Sequence, residues 1–257
     1  MTLIKTEEEI ELLRKGGHIL AKILKELVAY IEPGMSTRDI NDYSLKLAEE
    51  YGVETVLLGY APDFADKPYP AALCTSVNDT VQHGVPSEGE ILHEGDIINL
   101  DMSIGYEGMI VDSGVTVAIG EIDKNSRKLI DVTREALALG IKQAKPGNRI
   151  GDISHAIQTF VESRGFSIVE ELCGHGVGHK VHEDPQIPNY GKAGTGPEIV
   201  VGNVLAIEPI VNIGAKGVIF DDEGDGYSVF TADGSRSAHF EHTVAITENG
   251  PDIMTKL

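Results

Sequence analysis

The chain has 257 residues, 41% of them hydrophobic and 24% charged, with 41 Asp and Glu against 21 Lys and Arg and a formal net charge of −20. That length suits one large domain or two small ones with a real core, while so acidic a surface repels phosphate backbones and excludes a nucleic-acid-binding module. No apolar run reaches the roughly 18 residues that span a bilayer, so membrane insertion is excluded too.

In chain order, Thr6 and Glu9 form a capping box that opens a helix. Ile10, Leu13, Ile19, Leu20, Ile23, Leu24, Leu27 and Val28 follow at helical spacing as far as Pro33-Gly34. Ser36 or Thr37 caps a second helix that turns Ile40, Leu47, Ala48 and Tyr51 inward, and Gly52 ends it. Residues 53 to 121 hold short β-rich runs, Glu90 to Asp101 and Ile110 to Ile119, between Gly, Pro, Asn and Asp turns. Helical spacing returns at about 126–144 and at 150–164, and a second β-rich stretch runs from about 166 to the end. Helices, strands, helices, strands: the order predicts an α+β fold with antiparallel strands. The first residues lack the basic and apolar regions of a secretory signal, and two cysteines, Cys74 and Cys173, make no disulfide framework or four-cysteine zinc site. A reducing, cytoplasmic location is expected.

The two halves, about 1–121 and 122–257, resemble each other. A shift of 113 residues lays Pro33, Gly34, Asp39, Ile40, Glu49 and Gly52 on Pro146, Gly147, Asp152, Ile153, Glu162 and Gly165. Gly95 to Asp101 then matches Gly202 to Glu208, and Asp112 to Ile119 matches Glu241 to Ile246. A single domain of two pseudo-equivalent halves is expected, with Asp101 paired to Glu208 and Asp112 to Glu241.

Those four acids border apolar β-type runs, where burial penalises an unpaired carboxylate. Residues 94–119 contain no Lys or Arg to compensate, so one or two divalent cations are the expected partner. The segment Cys173 to Pro185 adds His175, His179 and His182 among three glycines. It holds no His-Glu-x-x-His, and an oxygen-rich set with one imidazole favours Mn, Fe(II), Co or Zn in a bridged pair over a structural zinc.

Together these segments resemble the type I methionine aminopeptidases, metallopeptidases of the pita-bread fold. The resemblance is carried by Ser76 to Pro86, Gly95 to Asp101, Asp112-Ser113, Cys173 to Pro185, Ile187 to Tyr190, Ile207-Glu208-Pro209 and Ser237 to Thr243, in order over almost the whole chain. It implies pseudo-twofold halves whose antiparallel strands form a curved sheet covered by helices. It implies that Asp101 binds one of two metal ions, that Asp112 and Glu241 bridge both, and that His175 and Glu208 hold the second. Glu208 would also be the proton carrier, with His83 and His182 contacting the substrate amide and the developing oxyanion. Tyr60, Tyr69, Cys74, Val181 and Tyr227 would line a methionine pocket. The implied activity is removal of N-terminal methionine from peptides and nascent proteins with a small second residue, through hydroxide activated by the two metal ions. A monomer is expected, with no direct nucleic-acid or membrane binding and no more than a transient ribosome contact.

This chain departs from the family pattern at four places. Ala61 to Pro68 makes the segment between Tyr60 and Tyr69 about five residues longer than usual, and Val181, Tyr227 and His239 stand where phenylalanine, tryptophan and glutamine are usual. A wider, less aromatic pocket is the expectation. Two other readings remain: a proline-specific aminopeptidase or prolidase of the same fold, which would need a sizeable N-terminal domain, and a non-catalytic pita-bread binding module, which would have lost its ligands.

Overall fold

A computed structural model describes residues 4–62, 67–222 and 224–256. The first half runs α1 (Glu7–Tyr30), α2 (Thr37–Tyr51), β1 (Glu54–Thr55), β2 (Cys74–Val77), β3 (Thr80–Gln82), β4 (Ile97–Tyr106) and β5 (Met109–Ala118). The second opens with α3 (Lys124–Gln143), α4 (Ile150–Ser163), β6 (Ser167–Ile168), β7 (Cys173–Gly176) and β8 (Glu183–Pro188). It closes with β9 (Val204–Ile207), β10 (Ile210–Asn212), β11 (Val218–Phe220), β12 (Val229–Thr231), β13 (Ser237–His239), β14 (His242–Thr247) and β15 (Gly250–Ile253).

Local chemistry sets the helix ends. The Thr6 hydroxyl accepts the Glu9 N–H at 3.2 Å while the Glu9 carboxylate accepts the Thr6 N–H at 2.7 Å, closing the capping box that starts α1. Ser36 and Asp39 do the same for α2, which Gly52 ends at φ 66°, a left-handed conformation that glycine adopts without strain. Under a shift of 113 residues α4 repeats the device: Asp152 accepts the Arg149 N–H at 2.7 Å, and Gly165 follows the helix at positive φ. The apolar stripe of α1, with Leu13, Leu20, Ile23 and Leu27, is buried with strands of the first half, and α3 and α4 bury theirs in a second cluster with strands of the second.

In the first half β4 and β5 form a long antiparallel hairpin, from Ile97 opposite Ala118 to Tyr106 opposite Met109, with β2 on the far side of β4. In the second half β9 pairs with β14, Val204 opposite Ala245, and β7 lies on the far side of β9. Gly95 N–H to Ile119 O and Gly202 N–H to Ile246 O are matching hydrogen bonds at the two hairpin ends. The strand expected from Glu90 to Asp101 starts later, at Ile97 after the Gly95 turn, and continues to Tyr106, so Asp101 lies in mid-strand.

The register corrects one expected equivalence. Glu208 stands in the second half where Asp101 stands in the first, as expected. The mate of Glu241, however, is Gly114 rather than Asp112: Ala245 corresponds to Ala118, a shift of 127 residues, and the same ladder continues to Ile210 opposite His239. His239 is therefore the mate of Asp112. The two-residue slip went unseen in the sequence because a strand repeats its facing every second residue, so Asp112 and Gly114 share one face.

The halves meet at this face. Glu241 N–H donates to Gly114 O at 2.9 Å, and the Ser113 hydroxyl donates to Glu241 O at 2.8 Å. Further out, β3 of the first half pairs with β12 of the second. No helix among the described residues is long and apolar enough to cross a membrane.

Two adjacent glycines let α1 lie close to its neighbours: a Cβ on Gly17 would sit 2.5 Å from the Met254 carbonyl oxygen. Gly17→Ala should therefore cost about 1–3 kcal/mol by overpacking, read as a lower urea midpoint, whereas an unchanged midpoint would show that the C-terminal segment yields freely.

Candidate metal centre

The central strands bring acids and imidazoles into one cavity of about 700 Å³. Asp101 comes from β4, Asp112 from β5, His175 from β7, Glu208 from the end of β9 and Glu241 from the start of β14, and all five line it. His83 and His182 line the same cavity, as do Tyr60, Tyr69, Cys74, Val181 and Tyr227. Every sequence-derived candidate thus reaches one place. Of the segment Ala61 to Pro68, residues 63–66 lie outside the described residues, and Pro62 is on the cavity wall.

Asp112, His175 and Glu241 each place one ligand atom within 4.8 Å of the others. Asp101 lies beside Asp112, and Glu208 Oε1 lies 3.6 Å from His175 Nε2. Burial pushes Asp101, Glu208 and Glu241 well above the usual carboxylate range, and Asp112 upward as well, with the other acids adding to the rise in Asp101, Glu208 and Glu241. Burial pulls His83, His175 and His182 down to about 4, so each is a neutral ring near pH 7.

The residues fit divalent cations. Asp112 Oδ1 and Glu241 Oε1 are buried with no hydrogen-bond partner, and among the described residues no Lys or Arg is ion-paired with any of the four acids. Carboxylates and imidazole without thiolates suit Mn, Fe(II), Co or Zn.

A supporting shell orients the set, and most of it was not picked out from the sequence. Gln82 donates from Nε2 to Glu208 Oε2 at 2.6 Å, and Asn189 donates to the Glu208 carbonyl at 2.8 Å. The Thr243 hydroxyl accepts the Asp112 N–H at 2.9 Å and donates to the Asp112 carbonyl at 2.7 Å. Gln82 precedes His83 in a segment already singled out, but its role rests on a side-chain direction that spacing does not reveal. His239 is fully buried behind Glu208, its Nε2 3.6 Å from Oε2, and it does not line the cavity.

The histidine-rich segment divides its labour. His175 is buried on β7, and the His182 ring meets it edge-on at 4.5 Å between centroids, with Nδ1 2.9 Å from the Tyr60 hydroxyl. His179 instead faces outward and pairs with Glu9 at 2.7 Å. Below, Tyr69, Ala71, Cys74 and Tyr227 form a small apolar cluster, with Tyr69 and Tyr227 edge-to-face at 5.0 Å. Cys74 lies directly opposite Asp101 across β2 and β4, so the apolar floor adjoins the acids.

The model of metallopeptidase family M24 matches residues 11–248. The methionine aminopeptidase of Clostridium acetobutylicum is 43% identical over 255 residues, covering 99% of each chain. The chain belongs to the methionine aminopeptidases of family M24. Methionine aminopeptidase 1 of Bacillus subtilis is 42% identical over the full length of both chains. The crystal structure of the Thermotoga maritima methionine aminopeptidase superposes with a TM-score of 0.95 at 44% identity, again over the whole of both chains. The Pyrococcus furiosus prolidase shares the fold, with a TM-score of 0.75 at 24% identity, but this chain spans only 66% of it. Membership in M24 and the shared pita-bread fold agree with the resemblance drawn from the sequence, and the proline-specific reading is not favoured.

Cation binding should release protons, and the sign follows from the metal-free shifts. The acids have folded values above their unfolded ones, so the stability they contribute is present at low pH and lost as pH rises through the folded values. The three neutral histidines behave oppositely: their contribution is present above about 6.5 and lost as pH falls towards about 4. A cation binds the deprotonated set, so its stabilising effect should grow from pH 5.5 to 7.5, and titration calorimetry in buffers of different ionisation enthalpy should report protons leaving. Buffer-independent heats and a pH-independent melting shift would contradict this.

Proposed function

We propose that this metallopeptidase removes methionine from the N-termini of peptides and nascent proteins with a small second residue, as a cytoplasmic monomer that touches the ribosome no more than transiently. Asp101, Asp112, His175, Glu208 and Glu241 would hold two divalent cations. The reading rests on one observation above all: five donors, three on strands and two at the edges of strands, with two of their oxygens unpartnered, converge beside an apolar floor. Bound there, such ions would lower the pKa of water and polarise a carbonyl.

The chain's own groups do the rest. Glu208 has two distinguishable oxygens: Oε1 faces His175, while Oε2 is held by the Gln82 amide. Its carboxylate takes the proton of the attacking water and passes it to the leaving amine, while the Gln82 amide keeps the group oriented. In the tautomer that accepts the Tyr60 hydroxyl at Nδ1, 2.9 Å away, the neutral His182 ring would carry its proton on Nε2 and offer it to charge that develops on the substrate oxygen. His83 takes the substrate amide. The side chain of residue one enters the space bounded by Tyr60, Tyr69, Cys74, Val181 and Tyr227, whose apolar floor adjoins Asp101. Because donors come from both halves, the chain works as one catalytic unit.

Glu208→Gln should keep the fold and lower kcat by about 10²–10⁴ on a Met-Ala-Ser peptide; near-normal turnover would remove Glu208 from the proton path. His182→Ala should lower kcat by on the order of 10² with KM little changed, since its contact strengthens in the transition state, and an effect confined to KM would make it a ground-state contact. Val181→Phe should narrow the pocket and reduce kcat/KM for Leu-Ala-Ser relative to Met-Ala-Ser by about tenfold, while an unchanged ratio would show that Val181 does not set side-chain selectivity.

A further inference from the structure

Lys5 and Glu183 form an ion pair that the chemistry above does not use. Lys5 Nζ lies 2.5 Å from Glu183 Oε2, and the two side chains are 1% and 2% exposed. In a protein of net charge −20 with only 21 basic residues, a lysine withdrawn from water in this way has a local task.

Its position suggests which. Glu183 follows His182 directly and opens β8. While Oε2 takes the lysine, Oε1 accepts the backbone N–H groups of His179 at 2.7 Å and Lys180 at 3.0 Å. One carboxylate therefore ties off the turn of residues 178–183 from inside, and Val181 and His182 project from that turn into the cavity wall. The lysine reaches it through a gap that exists because residue 178 is glycine: a Cβ there, at φ 145°, would lie 2.3 Å from Lys5 Cε. Lys5 is itself fixed at both ends. Its N–H donates to Gly202 O at 2.8 Å, and the next residue is Thr6, the cap of α1. The first turn of α1 grips the same loop again, through Glu9 Oε1 on His179 Nε2 at 2.7 Å.

We propose that Lys5 and Glu183 are positioning residues for His182: the start of the chain holds the turn that presents this imidazole, and the Tyr60 hydroxyl sets the ring's remaining freedom. The proposal rests on the role given to His182 above. Removing the lysine leaves His182 chemically intact but free to drift, and a displacement of about 1 Å in a catalytic group can cost on the order of 10²-fold in rate.

The test is a double-mutant cycle on the metal-loaded enzyme with Met-Ala-Ser, using Lys5→Met, His182→Ala and the combination. Lys5→Met should lower kcat by about tenfold or more with KM within about threefold, and the combination should fall no further than His182→Ala alone. Losses that multiply, or a kcat unaltered by Lys5→Met, would overturn the proposal. Histidine ring resonances of metal-free Lys5→Met should show that of His182 shifted and that of His155, on α4, in place; an unmoved His182 signal would count equally against it. If Lys5→Met alone fails to fold, Lys5→Met with Glu183→Leu leaves no buried unpaired charge and should give the same pattern. His182→Ala by itself reports on the role of His182, and the ring signal reports on whether Lys5 holds it, so the two ideas fail separately.

Discussion

Four carboxylates share one buried cleft with no lysine or arginine among the described residues paired to them, and the rest of the architecture answers that conflict. Burial alone drives Asp101, Asp112, Glu208 and Glu241 towards the protonated form, and the acids among them add mutual repulsion. Without a cation the cleft favours protons on these acids. With one, the same crowding becomes affinity. The neutral histidines fit this arrangement, because a protonated imidazole would compete for the place that the cation takes.

Two halves of like strand topology assemble the site. Each half supplies a helix pair and an antiparallel strand pair flanked by a third strand, and the two strand pairs meet where Gly114 receives the Glu241 N–H. Equivalent positions have diverged in chemistry while keeping their facing: Asp101 and Glu208 remain acids, Asp112 has His239 as its mate, and Gly114 has Glu241. A Cβ on Gly114 would approach the His239 ring to 3.0 Å, so the smallest residue on one side makes room for the ring on the other. The symmetry is one of register rather than of side chains.

Around the donors, uncharged and paired groups hold geometry. Gln82, Thr243 and Asn189 restrain Glu208 and the Asp112 backbone, and the Lys5–Glu183 pair ties the turn that bears His182 to the first helix. The side chains that would do chemistry thus stand on strands or on a tied turn, which limits the motion that would blur their placement.

Much of this was legible in the residues themselves. Helix caps at Thr6 and Ser36, the repeat of Pro-Gly and Asp-Ile under a fixed shift, and the scarcity of cations near the acids are local signals, and local signals survive in a linear chain. The α+β class and the expectation of cations beside the acids followed from them, while the family and the individual ligand roles came from the resemblance of the motif segments. The pairing of Asp112 with Glu241 did not hold, because a two-residue slip leaves strand facing unaltered and so leaves no mark on the pattern. Gln82, Thr243 and the Lys5–Glu183 pair were silent for a different reason: each acts on a partner more than a hundred residues away. Sequence determined which groups were available and roughly which elements carry them. Only the tertiary structure decided which meet, since contact between distant residues is set by register and packing of the whole sheet, which no local pattern encodes.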